Sequence, residues 1–123
     1  MLKQKTLFID IDGTLIFQDS HSITDIIQQT FKTSKILPDC IEKMNQWRNN
    51  GCIIVLVTAR PESMRIVTIE QINDVGLFYD QLVMGLGSGE RYLVNNRKND
   101  NANDTAFAIN VNKNEGLTDV EIK

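Results

Sequence analysis

The chain has 123 residues, a formal net charge of -3, and 41% hydrophobic against 24% charged residues. This is the make-up of an ordinary globular protein, too short for two full cores, so wholesale disorder is set aside and one domain spanning 1–123 is expected. An excess of acid, 16 Asp and Glu over 13 Lys and Arg, excludes the basic stripe that nucleic acid or an anionic membrane requires.

In chain order, Leu7, Phe8 and Ile9 form an apolar run that stops at Asp10, the pattern of a buried parallel strand with a polar carboxyl end. Ser22 to Lys32 places Ile23, Ile26, Ile27 and Phe31 at helical spacing. Pro38 and Asp39 open a second helix, Cys40 to Asn50, with Met44 and Trp47 as core residues and Gly51 as terminator. Cys52 to Val57 is the best strand, rich in branched residues and ending at Thr58. Pro61 begins a helix over Glu62 to Val75, closed by Gly76.

Further strands are predicted at Tyr79 to Met84, Tyr92 to Val94 and Ala106 to Val111, with polar loop between Asn95 and Asp104. The alternation predicts a three-layer α/β fold around a mainly parallel sheet of about five strands. Cys40 and Cys52 belong to no Cys/His cluster, which argues against structural zinc and for free thiols in a reducing compartment. The longest apolar run, Cys52 to Val57, is too short to span a bilayer, and the amino terminus lacks a signal-peptide pattern. A cytoplasmic protein is expected.

Ligands of open α/β sheets bind beyond the carboxyl ends of the strands. Three such ends carry polar residues: Asp10 with Asp12, Thr58 with Arg60, and Asn95 with Asn96. Two carboxylates two residues apart can share one side of an extended segment. One can attack an electrophile while the other handles a proton, and both offer hard oxygen to magnesium. Gly13 permits a turn closed to other residues and brings amides near a bound anion.

Asp10-Ile-Asp12-Gly13-Thr14 after one short strand, followed by Thr58-Ala-Arg60 after another, resembles the haloacid-dehalogenase-like superfamily. The resemblance implies a Rossmann-like core and phosphoryl transfer through an aspartyl-phosphate, with Mg2+ as cofactor. Asp10 would be the nucleophile. Asp12 would be general acid and later base, its backbone carbonyl on the metal. Thr58 and Ala59, with Gly13, would hold the phosphoryl group.

Two positions depart from the family pattern. Leu86 stands near the usual third-motif lysine, leaving Arg91 as the nearest cation, with Arg60, Arg97 and Lys98 behind it. Asn95 and Asn96 stand where metal-binding aspartates are usual; amide oxygens can ligate magnesium but bring no charge. Asp100 or Asp104 could compensate.

Within the superfamily, Thr58 to Arg65, Tyr79 to Gly85 and Gly89 to Asn96 resemble small cap-less enzymes of capsule and lipopolysaccharide biosynthesis. About four dozen residues separate the first strand from Thr58, and helices account for them, so no cap domain fits there. The expected function is hydrolysis of a small phosphomonoester, a sugar phosphate, at an open site or one capped by another subunit of a homo-oligomer. The rivals are a weak or inactive domain with a phosphate-binding or regulatory role, and a module of a larger complex. His21 in the loop after the first motif and the Gly85 to Gly89 loop are lesser candidates for ligand contact.

Overall fold

A computed structural model describes residues 3–18, 35–98 and 103–123. The first apolar run pairs to form β1, Thr6–Asp10. Helix α1 follows at Cys40–Asn49 and β2 at Ile53–Val57. A 3-10 turn, Glu62–Met64, leads into α2 at Arg65–Asp74, and β3 is Gln81–Val83. All pairings are parallel and the order is β1-β2-β3, so the most apolar strand takes the centre. The chain is an α/β protein built on a parallel sheet.

The register sets the site. Asp10 lies opposite Val57, and Val57 opposite Val83, so the three strands finish at one level. Thr58 is the next residue beyond that level, and its N–H donates to the Val83 carbonyl at 3.0 Å. Ile54 and Leu56 of β2 are fully buried with Met44 and Trp47 of α1 and Ile72 of α2, as their periodicity predicts. Gly51, at φ 85, ends α1 in a left-handed conformation that costs glycine little.

Asp39 precedes α1 at φ 61 without capping it through its side chain. Its carboxylate instead accepts from the Thr118 hydroxyl at 2.6 Å. That bond belongs to a C-terminal segment for which the sequence suggested no element. Leu117 and Val120 are core residues there, and the Leu117 N–H donates to the Pro38 carbonyl at 3.0 Å. Gly116 lies so close to Pro38 that a Cβ would collide with its backbone.

The strand expectations need correction. Tyr79 to Met84 narrows to Gln81–Val83. Tyr92 to Val94 and Ala106 to Val111 form no strand, so the expected count of about five becomes three among the described residues. The physical reason is missing pairing: among the described residues, no backbone–backbone hydrogen bond involves residues 87–111. An apolar run becomes a strand when its backbone finds a ladder. The helix expected from Ser22 to Lys32 lies outside the described residues, as do His21 and Asp100.

Candidate active site

Beyond β1 the chain turns at once. Ile11 is fully buried, and its carbonyl accepts from the N–H groups of Thr14, Leu15 and Ile16 at 3.2, 2.9 and 3.1 Å. Gly13, at φ 84, makes that reversal possible. Its N–H is engaged by the Ile16 carbonyl at 2.7 Å. The conformational role expected of Gly13 is therefore present, while this amide is already committed within the turn.

The turn keeps Asp10 and Asp12 at the mouth of the sheet but gives them different neighbours. The Arg91 guanidinium donates to Asp10 Oδ1 at 3.2 Å, and the Thr14 hydroxyl to Oδ2 at 3.3 Å. Burial is the largest influence on Asp10 and pushes its carboxyl above the ordinary value. The Arg91 charge and hydrogen bond pull it back, the Asp12 charge pushes it up, and the Ile11 N–H pulls it down. Both partners remain partly open to solvent, at 42% for the Arg91 side chain and 35% for Asp10. A substrate phosphate could therefore reach both groups.

Asp12 is held more tightly. Arg60 donates from Nε to Oδ2 at 2.8 Å and from Nη2 to Oδ1 at 2.6 Å, a two-pronged clamp on the carboxylate. The remaining Arg60 nitrogen, Nη1, donates to the Thr68 hydroxyl of α2 at 3.1 Å. The side chains are buried, 1% exposed for Arg60 and 12% for Asp12. Such a pair fixes geometry well, because removing either partner would leave a buried charge without compensation.

Thr58 is buried, and its hydroxyl accepts from the Arg60 N–H at 3.1 Å while remaining able to donate elsewhere. The Arg60 and Thr58 carbonyls accept from Gly85 and Leu86 at 2.8 and 3.2 Å, tying the β2 and β3 loops together. Ala59 lies between them, and no described residue accepts from its N–H. The arrangement gathers a half-exposed carboxylate, a mobile-tipped guanidinium, a hydroxyl and an amide at one sheet end. Chemically, that is a set able to receive an anion beside a nucleophile.

The family model for haloacid dehalogenase-like hydrolases matches residues 7–81, which includes β1, both acidic residues and the Thr58 loop. The chain belongs to the haloacid dehalogenase-like hydrolases. A solved structure of a Vibrio cholerae protein is similar in fold, with a TM-score of 0.51 and 18% identity, covering 75% of this chain and 80% of that one. No curated protein matches the chain.

Within this hydrolase, the structure brings Asp10, Asp12, Gly13, Thr58, Ala59 and Arg91 to one end of the sheet. Asn95 and Asn96 go elsewhere. The Asn95 amide donates to the Thr105 hydroxyl at 2.7 Å, which in turn donates to the Asn96 carbonyl at 2.8 Å. Asp104 pairs with Arg97 and not with the acidic turn. Sequence reasoning held Arg60 in reserve as a phosphate cation; its place is instead behind Asp12. It also missed Asn114, whose side chain accepts from the Gln18 N–H at 2.8 Å and donates to the Gln18 carbonyl at 2.9 Å. The Asn114 N–H donates to the Gly13 carbonyl at 2.8 Å, bracing the acidic turn from far along the chain.

Proposed function

We propose that this hydrolase is a magnesium-dependent phosphomonoesterase acting on a small sugar phosphate in the cytoplasm, as one cap-less domain over residues 1–123. The observation that carries the reading is the unequal treatment of the two carboxylates: Asp10 is open beside Arg91 and Thr14, and Asp12 is clamped by Arg60. A nucleophile must meet the substrate, and an acid–base group must be aimed.

In the proposed reaction an Asp10 carboxylate oxygen attacks phosphorus, and the bond from phosphorus to the substrate oxygen breaks. Asp12 gives the departing oxygen its proton. Water then attacks the phosphorus of the aspartyl-phosphate, Asp12 takes the proton, and the bond to Asp10 breaks to release inorganic phosphate. Arg60 occupies two of the roughly four lone-pair sites of the Asp12 carboxylate, fixing its plane and leaving the others for the proton. Arg91, Thr58 and the Ala59 N–H would donate to the phosphoryl oxygens, on which charge accumulates.

The oxygen donors suit magnesium, which binds through one or two carboxylates with water and substrate phosphate completing its shell. An Asp10 oxygen and the Asp12 carbonyl would hold the ion, and no described residue donates to that carbonyl. When bound, it supplies neutralisation of the charge shared by phosphate and nucleophile. Among the described residues no cluster of three or more His, Cys, Asp or Glu side chains forms. That observation favours the second reading, a weak or inactive domain that binds phosphate without turning it over.

A panel of phosphomonoesters assayed with added magnesium separates the two. Turnover lost in Asp10→Asn supports the enzyme. Phosphate binding without turnover by the wild-type chain would replace it with the second reading.

A further inference from the structure

We propose that an arm made of residues 90–98 and 103–111 is exchanged between two copies of this chain, the Tyr92–Val94 stretch of each adding to the outer edge of β1 in the other. Both halves of that contact are on the page. The Ile53 N–H donates to the Lys5 carbonyl at 2.8 Å, so Lys5, Leu7 and Ile9 direct their backbone groups toward β2. Alternation then turns the N–H and C=O of Thr6 and Phe8 outward, where no described residue pairs with them. An unpaired edge of this kind is a template for another strand.

The arm is the complementary half. Tyr92, Leu93 and Val94 are 85%, 62% and 93% exposed, and Phe107 and Ile109 are 79% and 52% exposed. Five large apolar side chains in water beside backbone without ladder partners do not make a stable end state. Nor is the arm shapeless. The bonds of Thr105 to Asn95 and Asn96, with the Arg97–Asp104 ion pair, hold its two segments side by side.

The root of the arm argues against the chain's own edge. Arg91 is tied to Asp10. A strand running parallel to the chain's own β1, as the other strands run, would set Asn95 level with Asp10. Arg91 would then sit four residues back, about 13 Å away. A second copy has no such conflict, and it carries the same free edge and the same free arm. A twofold arrangement satisfies both edges with identical contacts, the usual economy of a reciprocal dimer.

Parallel addition would also place Asn95 and Asn96 of the incoming arm beside Asp10 of the receiving copy. On the phosphatase reading proposed above, which this consequence depends on, each active site is completed by the other subunit.

The test is the mass of the full-length chain in solution, by sedimentation across micromolar concentrations. A dimer is expected. Val94→Lys on the arm and Phe8→Lys on β1 should each weaken it by more than about tenfold, the effect of losing roughly 1.4 kcal/mol at the contact. Ile66→Lys, an exposed position on α2, should leave it intact. Thermal melting checks that the Val94 variant, altered at a side chain already in water, folds normally.

A wild-type monomer overturns the proposal, as does a dimer indifferent to Val94→Lys. A monomer with slowly exchanging Tyr92–Val94 amides would mean the arm folds onto its own edge, and that too overturns it. Site sharing has its own readout, with wild-type turnover as the control for the phosphatase reading. Mixing Asp10→Asn, which keeps its arm, with Val94→Lys, which keeps its nucleophile, should give more turnover than the two measured apart. Turnover equal to their sum, from an active wild type, overturns the sharing.

Discussion

Ile53–Val57 and Tyr92–Val94 are both short apolar runs, and they meet opposite fates. The first becomes β2, bonded on both sides and buried at Ile54, Val55 and Leu56. The second lies in an arm without ladder bonds and with its side chains in water. The difference teaches that apolar patterning states what a segment could bury, while pairing decides whether it does. β2 finds β1 and β3 within its own chain, and the arm finds neither.

The largest expected effect tests what the paired body supports. Asp10→Asn should reduce phosphatase turnover by on the order of 10⁴-fold or more, as loss of a nucleophile does. Steady-state assay of the purified variant measures it. Turnover near wild type would mean that the carboxylate at the mouth of β1 is not the attacking group.

That carboxylate was legible because β1 and β2 announce themselves locally, through apolar runs ending in Asp10 and Thr58. Helix α1 was equally plain from Met44, Trp47 and Gly51. The Arg60 clamp on Asp12 was not legible, because it joins residues 48 apart and depends on Thr68 from α2. The bracing of Gly13 by Asn114 joins still more distant segments, and nothing periodic marks either partner. Sequence pattern reports what a segment does alone; these contacts exist because the sheet register brings separate turns together.

Stability measurements sharpen the comparison at the next level. Arg60→Met should cost about 3–5 kcal/mol, since it strands the buried Asp12 carboxylate. Leu56→Ala, at a fully buried position, should cost about 2–5 kcal/mol through lost contacts and a cavity. Val94→Ala, measured where the chain is monomeric, should stay within about 0.5 kcal/mol. Urea unfolding of the three variants gives the ranking. An arm substitution as costly as the core one would show that residues 90–111 pack on the body after all.

Cysteine chemistry probes the same contrast more gently. Burial pushes the Cys40 thiol up to about 11 from 9.0. The reactive thiolate is then about a hundredfold scarcer near neutral pH, before limited access is considered. Cys52 is half-buried at the start of β2. A thiol reagent followed by mass spectrometry should label Cys52 first and Cys40 on unfolding. Early labelling at Cys40 would show that the junction of α1 with the acidic turn opens readily.

The smallest effect concerns the stability of the fold and not its chemistry. Burial raises the Asp10 carboxyl above 3.8 in the folded chain, with Arg91 only partly opposing the shift. The folded state therefore holds a proton that the unfolded state releases as pH rises from 3.8 toward the folded value, and stability declines across that window. Below it both states are protonated and the penalty is absent; above it the penalty is complete. Asp10→Asn removes the ionisation and should raise the melting temperature at pH 7 by roughly 2 °C, a gain that disappears below the window. Calorimetry of wild type and variant across acid and neutral pH measures both arms. A variant that melts lower at pH 7 would mean that the Arg91 and Thr14 contacts outweigh burial, and that Asp10 supports the fold as well as facing the substrate.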